Sequence, residues 1–296
     1  MITRLHRVSR EVRLILVLLC FAPIGLMGCN VAKVAIGESI TRQEAMGRYN
    51  RNVDAIVPFK AKVAQWEAKW VDDKGKTQHH TDSVGSVFYV PPKKADGRAL
   101  FYLMTKALLD EALVVGSNEK EFWMYSKPAK VGRWGKYEHR NKDCGGGMAV
   151  DPQVFLEFIG LSYLSVVAPY PAYKVTDEEN VIEIIDYVDD GFRIQREIVI
   201  DRRSGLPTEI NAYDSDGGRI MQSKLSNYKK LGDAWLPSGI CISTEDGDSL
   251  FRLKLQSFRK LEASNLETYK ETLFKRKENP SGIDDYQQID KECEVE

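Results

Sequence analysis

The chain has 296 residues, a formal net charge of −1, 43% hydrophobic residues and 29% charged residues. These are ordinary globular values; they exclude wholesale disorder and leave ample length for a sizeable core. A net charge this close to zero excludes a global basic field for holding nucleic acid, and the 10% aromatic share suits a β-rich fold with aromatic-lined concave surfaces.

The first 13 residues carry Arg4, Arg7, Arg10 and Arg13 against a single Glu11, and the apolar run Leu14-Ile15-Leu16-Val17-Leu18-Leu19 follows. That is the order of a secretory signal, and about 15 uncharged residues up to Cys29 fall short of the ~20 that a spanning helix needs. Leu26-Met27-Gly28-Cys29 then resembles the bacterial lipobox. The resemblance implies cleavage after Gly28 and a covalent diacylglycerol on the Cys29 thiol. It also implies a further acyl chain, such as palmitate, on the new amino group. Acyl chains contribute about 0.8 kcal/mol per buried methylene, so several make a lasting membrane anchor. Asn30 after the cysteine implies the outer membrane, facing the periplasm. Loss of residues 1–28 removes four arginines and one glutamate, which takes the mature chain to about −4.

Residues 29–40 read as a lipidated tether. Thr41 followed by Glu44 fits a capping box, with Ala45, Met46, Tyr49, Val53 and Ile56 on helical spacing up to Pro58. From Phe59 the period changes to two. Strands are expected over 59–71, 84–90, 98–104, 112–117, 121–125 and 131–137. Asp151-Pro152 opens a second helix carrying Val154, Phe155, Phe158 and Ile159 and ending at Gly160. Strands resume over 181–187, 192–200, 207–213, 220–228, 236–243 and 250–258, joined by turns such as Arg203-Ser204-Gly205 and Asp216-Gly217-Gly218. Residues 263–296 read as a charged C-terminal tail that frays from Lys275. The expected fold is α+β and mostly β: one curved antiparallel sheet of about eleven strands, or an open barrel, with two helices.

The most specific echo of a known family lies between Ile198 and Ile242. Ile200-Asp201-Arg202-Arg203-Ser204-Gly205-Leu206-Pro207 is a strand, a turn and a strand restart; Asp214-Ser215-Asp216-Gly217 follows, then Tyr228, Gly232 and Leu236-Pro237. Upstream stand Gly85-Ser86-Val87 and Phe122-Trp123-Met124-Tyr125, with Pro128 beyond. This order resembles the LolA/LolB-like carriers and sorting proteins of outer-membrane lipoproteins, over about residues 40–260. The resemblance implies an unclosed β-barrel, a half-barrel domain over 41–262 with helices packed on its concave face as a lid, enclosing an apolar cavity for acyl chains. For the family's cavity arginine it offers Arg98 or Arg133, and for its protruding apolar loop residue Leu113 or Val114.

Other constellations are weaker. Asp143-Cys144-Gly145-Gly146-Gly147 reads as an anion-binding loop or, more simply, a flexible connection. Cys144, Cys241 and Cys293 leave an odd thiol in an oxidising compartment, and no pair has metal or redox spacing. His79-His80 point to opposite faces of a strand and chelate poorly, and His139 stands alone, so no metal is expected. Glu183, Asp186 and Glu197 sit in strands as either a hydrolytic pair or a solvated face. Phe122, Trp123, Tyr125, Trp134, Phe155, Phe158 and Ile159 are the candidate cavity lining. The reading that results is a non-catalytic, membrane-anchored lipoprotein of the cell envelope. It binds a lipid or lipoprotein acyl chain and has no cofactor beyond the lipid on Cys29. The alternatives are an envelope scaffold that binds a protein partner through its sheet and, behind it, a hydrolase.

Overall fold

The structure is a computed structural model that describes residues 40–71, 75–82, 84–93, 97–107, 110–139, 152–164, 173–177, 181–187, 194–214 and 216–290. The first helix, α1 (Arg42–Asp54), starts where the sequence signals it: the Thr41 hydroxyl accepts from the Glu44 N–H. Glu44 does not close the box but pairs with Arg48 one turn on. Ala45, Met46, Tyr49 and Val53 form the buried stripe of α1.

Strands follow in chain order: β1 (Phe59–Val71), β2 (Thr77–Asp82), β3 (Val84–Val90), β4 (Leu100–Ala107), β5 (Asp110–Ser117), β6 (Glu121–Ser126) and β7 (Val131–Lys136). The short helix α2 (Pro152–Phe158) separates them from β8 (Tyr173–Asp177), β9 (Val181–Tyr187), β10 (Ile194–Asp201), β11 (Pro207–Tyr213) and β12 (Arg219–Ser226). A small hairpin, β13 (Lys229–Leu231) and β14 (Ala234–Leu236), leads to β15 (Gly239–Thr244) and β16 (Leu250–Lys260). Helix α3 (Ala263–Thr272) and β17 (Asp285–Gln288) complete the chain. All strands except the hairpin join one curved 15-stranded sheet, ordered β17-β7-β6-β5-β4-β3-β1-β16-β15-β12-β11-β10-β9-β8 with β2 beside β1. The long β1 makes this branch: residues 59–63 pair with β3 and residues 66–71 with β2. The pairing of β1 with β16 joins the two halves in the middle of the sheet, and among the described residues the outermost strands β17 and β8 are not paired with each other.

Period-two alternation sorts the side chains. The inner face carries Phe59, Ala61, Val63 and Trp66 of β1, Val87 and Tyr89 of β3, Phe101 and Leu103 of β4, Leu253 and Leu255 of β16, and Ile198, Ile200 and Ile210 of β10 and β11; with α1 and α2 they form one core. The outer face carries a second cluster, Leu100, Tyr102, Val114, Trp123 and Tyr125, covered by Phe274 with Tyr269, Leu273 and Ile283.

That cover corrects the expected fraying tail. After α3 the chain crosses the outer face, and β17 adds a parallel strand along the edge of β7, Asp285 beside Val131 to Gln288 beside Trp134. Its charged residues are spent on long-range pairs: Arg276 with Glu121 at 3.0 Å and over the Trp134 ring at 3.7 Å, and Arg133 with Asp285 at 2.9 Å. The edge that would otherwise template pairing with another chain is covered. The described residues therefore hold seventeen strands and three α-helices, more than the sequence pattern predicts, and only α1 and α2 lie on the inner face.

Candidate functional site

The inner face meets α2 in a cleft whose lining is apolar throughout. The sheet contributes Phe59, Val87, Phe101, Ile240, Leu253 and Leu255; Phe155, Ile159 and Leu161 come from α2 and the residues after it; Leu236, Pro237 and Phe258 complete the rim. Phe155 is the plug. Its ring sits 5.5 Å from that of Phe101 and 5.7 Å, edge-on, from that of Phe251. Phe59 bridges Tyr89 and Phe258 at 5.4 and 5.8 Å. Free volume in the cleft is about 10 Å3, one water-sized sphere, so the site is closed in this form. The expected open cavity of a few hundred Å3 is absent: the lining side chains, Phe155 among them, pack against one another.

Polar contacts hold the cover in place. Helix α2 ends at Gly160, whose φ of +71° suits glycine; a Cβ there would also stand 3.0 Å from Pro207. The next residues are pinned from both sides. The buried Tyr89 hydroxyl donates to the Leu161 carbonyl at 3.1 Å, and burial pushes that phenol well above its ordinary pKa. Asn50 of α1 donates to the Leu164 carbonyl and accepts from its N–H, both at 2.9 Å. Two residues further along α1, Asn52 does the same for Trp235: it donates to the carbonyl at 2.9 Å and accepts the N–H at 2.7 Å. Tyr163 donates to Asp54, and its phenol is pushed up to about 12 by burial and that carboxylate. On the sheet side, Arg196 pairs with Glu157 of α2 at 3.2 Å. The cover is thus an apolar plug fastened by amide, phenol and ion-pair contacts around its rim.

The seven candidate lining residues divide between two faces. Phe155 and Ile159 line the cleft, and Phe158 is buried beside them in the same core. Trp123 and Tyr125 are buried in the outer cluster, with Trp134 against it, under the C-terminal segment. Phe122 is on the opposite side of β6 and packs on Tyr137 at 5.2 Å. Leu113 and Val114 are mid-strand in β5 and do not protrude; Val114 is fully buried. Arg98 lies over the Tyr137 ring and Arg133 pairs with Asp285, so neither is among the cleft residues. Sequence reasoning missed most of the sheet's contribution, Phe59, Phe101, Ile240, Leu253 and Leu255. Their position on the inner-face register was the signal that could have found them.

Other sequence candidates fall as follows. Gly28, Cys29, Cys144 with its glycines, and Cys293 lie outside the described residues; Cys241 is a free thiol. His79 bonds Glu67 at 3.0 Å and His80 stacks on Trp70 at 5.2 Å, which follows the expected opposite faces. Among the described residues no group of three potential ligands could hold a metal ion. Glu197 accepts from Asn211 at 2.8 Å and from Tyr213 at 3.0 Å, and Asn211 also bonds Glu209 at 2.9 Å. With Gln222 of β12, which donates to Glu209 at 2.8 Å, that makes a hydrogen-bonded ladder across β10 to β12.

Fold and cleft together define a class: a single unclosed sheet wrapped on an apolar interior, closed by short helices. No family model and no curated protein matches the sequence. Solved structures do resemble it. One is a domain assigned as an outer membrane lipoprotein-sorting protein from Vibrio parahaemolyticus, with 14% identity, TM-score 0.49, and 78% of this chain and 97% of that one covered. Another is a DUF1329 family protein from Desulfovibrio piger, with 12% identity, TM-score 0.48, and 78% and 98% covered. A third is a LolA superfamily protein from Nitrosomonas europaea, with 10% identity, TM-score 0.42, and 77% and 97% covered. The architecture stated above is read from the strand order itself.

Proposed function

We propose that this protein is a non-catalytic envelope lipoprotein, anchored through acyl chains on Cys29 at the outer membrane, that takes up a lipid or lipoprotein acyl chain in the cleft under α2. The observation that carries the reading is the cleft's lining: twelve side chains from sheet, helix and rim without a polar residue among them. A hydrocarbon chain is the ligand such a surface selects, since any polar group placed there would lose its hydrogen bonds to water. Phe155 then acts as the occupant of the empty state. Uptake requires its ring to swing out, and the contacts it gives up with Phe101 and Phe251 are replaced by methylenes.

Native mass spectrometry of the protein purified from bacterial membranes, followed by titration with cis-parinaric acid, tests this. The reading expects co-purified lipid, or fluorescent uptake that reaches one chain per protein. A protein that is free of lipid and does not enhance the probe's fluorescence overturns it, and recovery of a stoichiometric protein partner instead favours the scaffold.

A further inference from the structure

Cations at one end of the sheet lack carboxylates. Among the described residues several arginines are neutralised locally, as in Arg202 with Asp177, Arg219 with Glu245 and Arg252 with Glu67. Where β1 begins and β16 finishes the pattern breaks. Lys60 stands directly opposite Arg259, Phe59 opposite Lys260, and Lys62 follows on the same side of β1 as Lys60. The β13–β14 hairpin adds Lys229 and Lys230, and its turn approaches the Lys260 ammonium: a Cβ on Gly232 would stand 3.2 Å from it. Among the described residues none of these six cations has an ion pair, and five of the six are exposed. Like charges placed opposite one another in a sheet are destabilising, so the arrangement costs the fold something and gains no internal partner.

The same hairpin holds out Trp235, 42% exposed. Its backbone is held in place: the Asn52 amide grips both its N–H and its carbonyl. Its neighbours Leu236 and Pro237 line the cleft, as do Phe258, just before Arg259, and Phe59, just before Lys60. The tryptophan thus stands opposite Lys230 in the hairpin, next to residues that rim the cleft, with Lys260 at the hairpin turn. Lys60, Lys62 and Arg259 lie on the other side of the same strand ends, and the combination has the chemistry of the lipid–water interface. There an indole sits at headgroup depth and lysines face anionic phosphates.

We propose that this end of the sheet is a docking surface for the anionic face of a phospholipid bilayer, with Trp235 among the headgroups and Lys60, Lys62, Lys229, Lys230, Arg259 and Lys260 on their phosphates. It deepens the reading of the cleft by naming the surface through which a chain enters. An acidic protein would meet the charges but gives no reason for the tryptophan.

The test uses the full chain reconstituted into vesicles of phosphatidylcholine alone or mixed with phosphatidylglycerol, with brominated acyl chains as quenchers. The Trp235 signal is the difference between wild type and Trp235→Phe. The expected result is quenching in the phosphatidylglycerol vesicles several times that in phosphatidylcholine, with matching loss of access to aqueous acrylamide. It should fall to the phosphatidylcholine level at high salt and in Lys229→Glu/Lys230→Glu. Taking about 1 kcal/mol for each lysine near an anionic surface, neutralising the pair by Lys229→Ala/Lys230→Ala weakens docking about 30-fold. Equal quenching in both vesicles, full acrylamide access in both, or protection by soluble polyglutamate but not by vesicles overturns the proposal. Parinaric acid uptake on the same samples separates this failure from failure of the cleft reading, because the lysine variants leave the cleft lining intact.

Discussion

Replacing Phe155 with alanine probes the closed cleft most sharply. The ring makes two aromatic contacts, with Phe101 at 5.5 Å and Phe251 at 5.7 Å, each contributing about 0.5–1.5 kcal/mol. Because Phe155 is only half-buried, its transfer contribution is below that of a full core phenylalanine. The expected loss is therefore about 2–3 kcal/mol rather than the ~3–5 of a fully buried one. In urea this moves the unfolding midpoint down by about 1 M. Removing the ring also vacates about 100 Å3 in a lining that is closed in the wild type, the order of size of the ~150 Å3 apolar cavity that takes up benzene. Thermal unfolding of Phe155→Ala with and without benzene reads both effects. The variant should melt lower and regain part of the loss with ligand, while the wild type does not respond, since a ligand that binds only the folded state raises its stability. A variant that melts like the wild type, or one destabilised but indifferent to benzene, would refute Phe155 as the plug.

Three further outcomes follow from contacts elsewhere. Phe274→Ala removes the buried side chain by which the C-terminal segment covers the outer face; a loss of about 3–4 kcal/mol in urea unfolding is expected, where a frayed tail would give none. A Cβ on Gly116 would stand 2.3 Å from the Trp123 indole, so Gly116→Ala should cost about 1–3 kcal/mol and change the near-ultraviolet circular dichroism, while parinaric acid uptake on the other face is preserved. Burial raises the Asp201 carboxyl, but the Ser204 N–H and hydroxyl, bonded to it at 2.7 and 2.8 Å, outweigh burial and hold it below the usual carboxylate range. A depressed carboxylate stabilises the fold above its unfolded pKa, and that contribution fades as the pH falls through the lowered folded value. Asp201→Asn should therefore be less stable than wild type at neutral pH, with the gap narrowing in acid; a constant gap on urea titrations would show that the turn draws nothing from the charge.

Much of the sheet was legible because alternation and turn chemistry are local. Thr41 capped the first helix, and the turn around Asp201 and Ser204 formed as its residues required. The parts that were not legible depend on distant partners. In β2, Thr77 to Asp82 has no apolar alternation and becomes a strand because the second half of β1 extends past β3 and needs a neighbour. The tail looked disordered because Arg276 and Asp285 read as solvated charges, whereas each finds its partner about 150 residues away in β6 or β7. The aromatic group on β6 went astray for a simpler reason. Phe122 and Trp123 are adjacent, so a strand sends them to opposite faces; period-two reasoning applied within the group would have separated them. The plug itself was within reach, since Phe155 and Ile159 lie one turn apart on α2 and the residue just beyond it.

Photocrosslinking with a phospholipid that carries a diazirine along its acyl chain tests the central claim most directly. The lipid is incubated with the intact protein, irradiated, and the labelled peptides are mapped. The account predicts adducts on Phe101, Ile240, Leu253 and their cleft neighbours, lost on competition with oleic acid. Adducts confined to the outer face, or none at saturating lipid, would contradict it.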